Sequence, residues 1–342
     1  MKAAVVAGPG TVLVRDVPDP RPGAGEVLIR VASAGVCGTD VHIAAGRHAQ
    51  ATLPLVPGHE IAGHVESLGE GVRDLTVGQA VAVDPVIACG MCHFCRRGLR
   101  NHCLRFGAIG VTRAGGFARS VVAPAANTYP TGELPLDQAV FAEPLGCILW
   151  GLKRLDPPVA STALLFGAGP IGLLLLQGLL VRGVARVTVV DPVERRLAIA
   201  RRLGAASTFM PGPELYESLR DAAPFGFEVV AEATGDPAVV QGMFAYAAPG
   251  GKILIFGVSP EDARVAVSPH EVYAKDLSII GSFSLAGTFA EALTLLASGR
   301  IKTAPLVSHR IPLDGLAMFL TGDRRAAQAG SIKVLIDLGA WE

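Results

Sequence analysis

Three groups of residues in this chain have the types and spacing that chemistry requires. The first is Cys89-Gly90-Met91-Cys92-His93-Phe94-Cys95 followed by Cys103, a C-x2-C-x2-C-x7-C run. Four thiolates this close can complete a tetrahedral shell around one zinc ion without help from distant residues. An iron–sulfur cluster or a redox dithiol would use similar spacing. His93 and His102 lie within the lobe, but four thiolates already fill the shell, so both read as solvated loop histidines. The second group is dispersed: Cys37 in Gly35-Val36-Cys37-Gly38-Thr39-Asp40, and His59 with Glu60 in Gly58-His59-Glu60. A thiol, an imidazole and a carboxylate that only the fold can unite make a candidate open zinc site, with a coordination position left for a reacting ligand. Glu143, in Glu143-Pro144-Leu145, and Cys147 compete to complete it, and spacing alone does not choose between them.

The third group is Gly167-Ala168-Gly169-Pro170-Ile171-Gly172, a G-x-G-x-x-G turn with the apolar run Leu164-Leu165-Phe166 before it and a helical pattern after it. In that context Gly167 permits the tight turn, Gly169 lets backbone approach a pyrophosphate, and Gly172 allows close helix–strand packing. The phosphates would sit on the helix N-terminus, where unpaired N–H groups and the dipole favour anions. Asp191 ends the next strand, 19 residues after Gly172. A carboxylate there accepts hydrogen bonds from an adenosine ribose and repels a 2′-phosphate, which favours NAD over NADP. Arg195 and Arg196 pull the other way, because a nearby arginine can accept that phosphate.

The elements that must position these groups fall into two textures. Residues 1–146 read as short strands cut by Gly and Pro: 2–6, 11–14, 26–33, 60–68 and 80–83. From about residue 161 apolar strands alternate with helical patterns: strand 163–166, a helix, strand 187–190, helix 195–203, then strands 229–232, 252–256 and 278–281. That alternation is the pattern of βαβ units on a parallel sheet. An amphipathic helix from Phe289 to about Ser298, a loop, a short helix and a final strand 332–336 follow, and this tail is expected to return to the first domain. The expected division is therefore 1–146 with a metal lobe at about 85–105, a dinucleotide-binding unit at 147–286, and a return segment at 287–342. Glu143 is expected at the border of the two domains, where a substrate cleft should open.

The bulk numbers fit two soluble domains. At 342 residues the chain exceeds what one core usually serves, and half of it is hydrophobic. Lys plus Arg and Asp plus Glu are each 30, so the net charge is zero and no strong field would gather nucleic acid or anionic lipid. The longest apolar stretch, 170–181, is too short for a membrane span and is interrupted by Gln177 and Gly178. The opening residues meet Gly8, Pro9 and Gly10 before an apolar signal region develops. A cytoplasmic location is expected, where thiols stay reduced and the six cysteines serve as metal ligands or buried small side chains.

In combination and in this order, Gly-Val-Cys37-Gly-Thr-Asp, Gly-His59-Glu60, the four-cysteine lobe, Glu143-Pro-Leu and Gly-Ala-Gly-Pro-Ile-Gly resemble the zinc-dependent medium-chain dehydrogenases. Glu143-Pro144 is similar to the polyol branch typified by sorbitol dehydrogenase. The resemblance implies an α/β protein, a Rossmann doubly wound parallel sheet plus a GroES-like β-rich catalytic domain. It implies two zinc ions per chain. Cys89, Cys92, Cys95 and Cys103 would hold the structural ion; Cys37, His59 and Glu143 would hold the catalytic one, with Glu60 as an exchangeable neighbour. It further implies that Asp40 orients the zinc-bound imidazole, that Thr39 bonds the reacting alcohol, and that His42 lies on the proton exit route. Gly167, Gly169, Pro170, Ile171, Gly172, Asp191 and Arg196 would bind NAD, and Lys333 falls where the family places a basic residue near the cofactor.

The activity implied is hydride transfer between NAD and a secondary alcohol, a polyol or sugar alcohol giving a ketose. Hydride leaves a carbinol carbon readily only once the oxygen is ionised, and a bound Lewis acid makes that possible near neutral pH. Threonine, cyclitol and simple secondary-alcohol dehydrogenases share these motifs. A zinc- and nucleotide-binding protein without catalysis is the reading from another class; it would be expected to lack Cys37, His59 or a fingerprint glycine, and all are present. No nucleic acid or membrane partner is expected. By analogy with that family a homodimer or homotetramer is the expected assembly, and the strand at 278–281 would be an edge of the Rossmann sheet of the sort that pairs across a two-fold axis.

Overall fold

The computed structural model describes residues 1–321 and 331–338, which divide into two compact units. Unit 1 comprises residues 1–146, 285–299 and the chain from 303 onward; unit 2 comprises 147–284 and 300–302. No helix among the described residues is long and apolar enough to cross a membrane.

Unit 1 opens with the hairpin β1 (Lys2–Gly8) and β2 (Thr11–Asp16), then β3 (Glu26–Val36), helix α1 (Gly38–Ala44), β4 (Glu60–Leu68), β5 (Ala80–Val83), β6 (Val86–Ile87), β7 (Gly107–Ala108), β8 (Ser120–Pro124), β9 (Thr128–Pro130) and the turn of helix α2 (Leu136–Ala139). Alternation governs β3: Val27, Ile29 and Val31 are buried between half-buried or exposed neighbours, the period-2 pattern of a strand with one face on the core. From Ser33 to Val36 every residue is buried, because this end of the strand enters the site. Ile29, Ile43, Ile61 and Phe117 are among the largest fully buried side chains of the core beneath the sheet.

Helix α3 (Ala142–Leu155) starts in unit 1, and the division falls within it, between Gly146 and Cys147. Unit 2 then runs β10 (Thr162–Phe166), α4 (Pro170–Val181), β11 (Arg186–Val190), α5 (Glu194–Arg202), β12 (Ser207–Phe209), α6 (Leu215–Ala222), β13 (Phe227–Glu232), α7 (Pro237–Gly242), β14 (Ala247–Ile255), α8 (Pro269–Ala274) and β15 (Ser278–Gly281). The six strands are parallel, in the order β12-β11-β10-β13-β14-β15, a doubly wound sheet with β15 at one edge. Strands covered on both faces read as continuous apolar runs, and Ala163 to Phe166 and Val187 to Val190 are all buried.

The apolar run at 170–181 is α4. Its one buried polar side chain, Gln177, is satisfied at both ends: the amide donates to Leu173 O and Lys302 O (each 3.2 Å), and its carbonyl accepts from Lys302 N (2.7 Å). Those bonds explain why 300–302 joins unit 2 although the expected return segment begins at 287. The rest of that segment belongs to unit 1: α9 (Phe289–Ala297), β16 (Val307–Ile311), α10 (Leu316–Thr321) and β17 (Lys333–Asp337).

The seven-stranded sheet of unit 1 runs β16-β17-β3-β4-β5-β9, with β8 also paired to β3. Register sets the site. Val334 of β17 lies opposite Val36 of β3, and Gly35 lies opposite Glu60 of β4. One end of three adjacent strands therefore gathers Lys333, Cys37 and Glu60.

Candidate active site and metal centres

Ligand atoms of Cys37, His59 and Glu60 all lie within 4.8 Å of one another. Cys37 follows β3 directly and precedes α1, while His59 and Glu60 are buried at the start of β4. Gly35 is glycine because a Cβ would overlap the Glu60 carboxylate. Gly58 turns the chain with φ +97°, and a Cβ there would lie 2.6 Å from the Phe117 ring.

Asp40, fully buried, fastens the two halves of the cluster. One of its oxygens accepts from Cys37 N (2.8 Å); the other accepts from Gly58 N (3.2 Å) and lies 3.4 Å from His59 Nδ1. With Nδ1 facing Asp40, Nε2 is the nitrogen left for a metal. Burial works against a charged His59 ring, but the Asp40 carboxylate and Cys37 outweigh it and hold the imidazole well above its ordinary range. Surroundings that favour a proton on this ring also favour a cation in its place.

Lys333 is the second buried charge. Its ammonium contacts the Glu60 carboxylate and donates to Val36 O (3.2 Å), with the Phe141 ring 6.0 Å away. Burial opposes its charge, yet Glu60, Cys37 and Glu143 together raise its pKa. The side chain that family resemblance puts near the cofactor is here the counter-ion of Glu60, a member of the Cys37–His59–Glu60 cluster. Glu143 stands in the first turn of α3, 8% exposed, outside the three-residue cluster but with its charge felt at Lys333. Thr39 Oγ1 lies 3.8 Å from Cys37 Sγ, and the exposed His42 lies in the last turn of α1. Cys147, the competing ligand, is half-buried, in no disulfide, and lies in the part of α3 that belongs to unit 2.

The lobe gathers Cys89, Cys92, Cys95 and Cys103, with sulfurs all within 4.8 Å of one another and none in a disulfide. A tetrahedron with Zn–S of about 2.3 Å has S···S edges of about 3.8 Å; Cys92 and Cys103 are 4.0 Å apart. Backbone N–H groups already point at sulfur: Cys89 N and Arg105 N each lie 3.3 Å from Cys103 Sγ. Backbone donors from Cys95 and Leu104 lower Cys92 to about 6, whereas burial and neighbouring thiols push Cys95 up to about 12. The donor set and its spacing fit one zinc ion. His93 and His102 are exposed, each with its ring near Phe94.

In unit 2 the glycine turn joins β10 to α4. Gly167 takes φ +97°, a Cβ on Gly172 would overlap the Gly167 carbonyl, and Pro170 opens the helix, where it needs no N–H partner. Nothing lies within 4 Å of a Cβ built on Gly169, so that face of the turn has room for a ligand; Ile171, next in the helix, is half-buried. Asp191 is 3% exposed, and its oxygens accept from Ala168 N (2.7 Å) and Val193 N (2.8 Å). Part of its acceptor capacity therefore tethers the glycine turn to β11, and Arg196 lies 3.8 Å from it.

Sequence reasoning missed Glu232. Fully buried at the end of β13, it accepts from Thr234 N, Thr234 Oγ1, Gly235 N and Gly257 N at 2.9 to 3.0 Å. It fixes the loop whose Thr234 methyl would lie 3.0 Å from a Cβ on Gly167. The available signal was a carboxylate ending an apolar strand just before Thr and Gly, residues that offer N–H donors in a turn.

A cluster of side chains that could hold a metal and a glycine turn of the dinucleotide-binding kind stand in one chain, the pieces that metal-assisted hydride transfer uses. Residues 23–133 match the alcohol dehydrogenase GroES-like domain, and 170–298 match the zinc-binding dehydrogenase domain. The chain is 39% identical to D-altritol 5-dehydrogenase of Agrobacterium fabrum over 314 residues, 91% of each chain. It superposes with TM-score 0.93 and 32% identity on a zinc-binding dehydrogenase of Sinorhizobium meliloti 1021 bound to NADP, covering 98% of each chain. On the RspB alcohol dehydrogenase of Escherichia coli CFT073 complexed with NADH, the TM-score is 0.91 at 32% identity, covering 98% and 99%. The chain belongs to the zinc-dependent medium-chain dehydrogenases, in their polyol branch.

Proposed function

We propose that this chain is an NAD-dependent polyol dehydrogenase that takes hydride from a secondary carbinol carbon and releases a ketose. The observation that carries this reading is the convergence of Cys37, His59 and Glu60 with Asp40 behind them. Similarity to D-altritol 5-dehydrogenase supports a polyol as substrate. Cys37, His59 and Glu143 would hold a zinc ion, with Glu60 exchangeable, and that ion would supply the Lewis acidity that lets an alcohol ionise near neutral pH.

The chain's own residues do the rest. Asp40 fixes the ring orientation and tautomer of His59. Lys333 retains Glu60 and neutralises it whenever that carboxylate is not a ligand. Thr39 accepts a hydrogen bond from the substrate hydroxyl and gives up its own hydroxyl proton as it takes the substrate's, and His42, on the exposed side of α1, is the group that would release a proton to solvent. In unit 2, Gly169 gives the pyrophosphate its approach and Asp191 meets the ribose.

NAD is the assigned cofactor because a buried carboxylate at the end of β11 repels a 2′-phosphate. NADP is the second reading, favoured by Arg196 at 3.8 Å from that carboxylate and by the NADP in a similar structure. We also assign a cytoplasmic location, two zinc ions per chain, and a homodimer or homotetramer in which the exposed edge strand β15 pairs with a second copy.

Initial rates with NAD and with NADP on arabinitol, altritol, sorbitol, xylitol, inositol, threonine and 2,3-butanediol test the assignment, together with metal analysis. The expected outcome is the highest kcat/KM on a polyol with NAD, and two zinc ions per chain. Threonine or the diol as best substrate would move the enzyme to a neighbouring activity. No turnover with any alcohol, and a single zinc in the lobe, would leave a scaffold.

A further inference from the structure

In unit 2 the chain leads from β10 through β11 to β12 on one side of the sheet, and from β13 through β14 to β15 on the other. The strand order therefore reverses between β10 and β13. In an open parallel sheet a ligand lies outside the carboxyl ends of the strands at such a reversal. Phe166, the last residue of β10, pairs with Glu232, the last of β13, and Glu232 pairs with Ile255, the last of β14. The fully buried Glu232 carboxylate thus stands at the sheet end where that crevice opens, one strand from the glycine turn.

Its four bonds go to two separate segments. Oε2 accepts from Thr234 N, Thr234 Oγ1 and Gly235 N in the turn after β13, and Oε1 accepts from Gly257 N just past β14. All four partners are donors, so both oxygens of the group serve as acceptors. The two segments are also pressed together: a Cβ on Gly257 would lie 2.2 Å from Gly235 N, and one on Gly235 would lie 2.5 Å from Val258 O. On its other side the first segment meets the glycine turn. Ala233 N donates to Phe166 O (2.8 Å), and a Cβ on Gly167 would lie 3.0 Å from the Thr234 methyl. Thr234 and Val258 are exposed and Gly257 is half-buried, so both segments carry surface that a ligand can touch.

We propose that Glu232 is a positioning residue for the dinucleotide: it holds the segments after β13 and β14 at a fixed spacing from the glycine turn, so that the crevice is formed before the cofactor arrives. The inference rests on the dinucleotide-binding reading above and adds a residue that acts through backbone rather than by touching the cofactor. A loop already held in its bound shape adds affinity, because less ordering is left for the ligand to impose.

The test compares the full-length, zinc-loaded wild type with Glu232→Gln and Thr234→Val. The amide of Glu232→Gln has nearly the size of the acid but accepts through one atom only. With its oxygen on Thr234 and Gly235, its NH2 meets Gly257 N–H, donor against donor. The Kd for NADH (NADPH if the wild type prefers it), by fluorescence titration well below the melting temperature, is expected to rise about 10-fold, and the KM for the oxidised cofactor to rise with it. Neither kcat nor the KM for D-arabinitol at saturating cofactor is expected to move by more than about 2-fold. Amide hydrogen exchange is expected to quicken at Gly257 and to stay slow at Gly235. Thr234→Val removes one donor to the same carboxylate at an exposed residue; it is expected to raise the Kd about 2- to 3-fold, and it carries the test if the amide variant does not fold. A lowered melting temperature with an unchanged Kd in every variant that folds makes the carboxylate purely structural and overturns the proposal, and so does a fall in kcat with affinity intact. A wild type that binds neither NADH nor NADPH overturns the dinucleotide reading itself, and the role of Glu232 with it.

Discussion

The two clusters of unit 1 that could hold a metal are built on opposite principles. The lobe takes four like ligands from one short stretch, leaves three of the four half-exposed, and stabilises them with its own backbone N–H groups. The other cluster takes three unlike ligands from the ends of two strands, buries two of them, and depends on Asp40 and Lys333 to hold the charges in place. A shell completed by local thiolates needs nothing from the sheet. A site that must leave room for a substrate has fewer ligands, and the fold must supply what those ligands no longer provide: orientation from Asp40, charge balance from Lys333.

The largest test of that contrast removes one thiol from each. Cys37→Ser is expected to cost at least about 10³-fold in kcat/KM while leaving one zinc per chain and a nearly unchanged melting temperature. Cys103→Ser removes the buried thiolate that accepts two backbone N–H groups. It should lower Tm by roughly 6–12 °C, from a loss of about 3 kcal/mol, and leave the other zinc in place. Metal analysis with calorimetry on both variants decides it. If both lost both ions, the clusters would not be independent.

Next in size is Lys333→Met, which tests whether the buried pair serves the metal site or only the sheet. Removing one partner of a buried ion pair leaves the other charge uncompensated, a cost of about 3–5 kcal/mol. Chemical denaturation of the metal-free protein should show that loss, and Glu60→Gln in the same chain should recover most of it. Zinc added to the single variant should also recover part of it, because an ion can take the Glu60 carboxylate that Lys333 gave up. Zinc rescue no greater than in wild type would make the pair purely structural.

The same contrast explains what the sequence discloses. Strands 60–68 and 80–83 are legible to the residue, because apolar patterning and Gly or Pro punctuation mark both ends, and 278–281 is legible from its apolar pair and closing Gly281. The lobe is legible because its geometry is a matter of spacing alone. Helix α3 is not, since Pro144 and Gly146 look like breakers; Pro144 is tolerated because it falls in the first turn, where an N–H has no intrahelical partner. The Lys333–Glu60 contact joins residues 273 apart through the registers of β17, β3 and β4, and no local pattern carries it. Whether Glu60 or Glu143 joins Cys37 and His59 is invisible for the same reason: residue type was readable and strand register was not.

The smallest expected effect concerns another buried carboxylate, just ahead of the lobe. Asp84 is 2% exposed; it accepts from Val86 N (2.9 Å), and burial raises it to about 6 against the opposing pull of Val86 N–H and Arg100. Its folded value lies above the unfolded 3.8, so the fold binds the proton more tightly than the unfolded chain does. That contribution is complete below the unfolded value and is lost as pH rises through the folded one, between about pH 4 and 6. At neutral pH the ionised group then costs on the order of 1–3 kcal/mol. Asp84→Asn keeps an oxygen for Val86 N–H without the charge, so it should raise Tm at pH 7 and narrow its advantage as pH falls toward 4. A difference between the two melting curves that stays flat across that range would show that Asp84 already reaches water, and that the approach to the lobe is as open as the lobe itself.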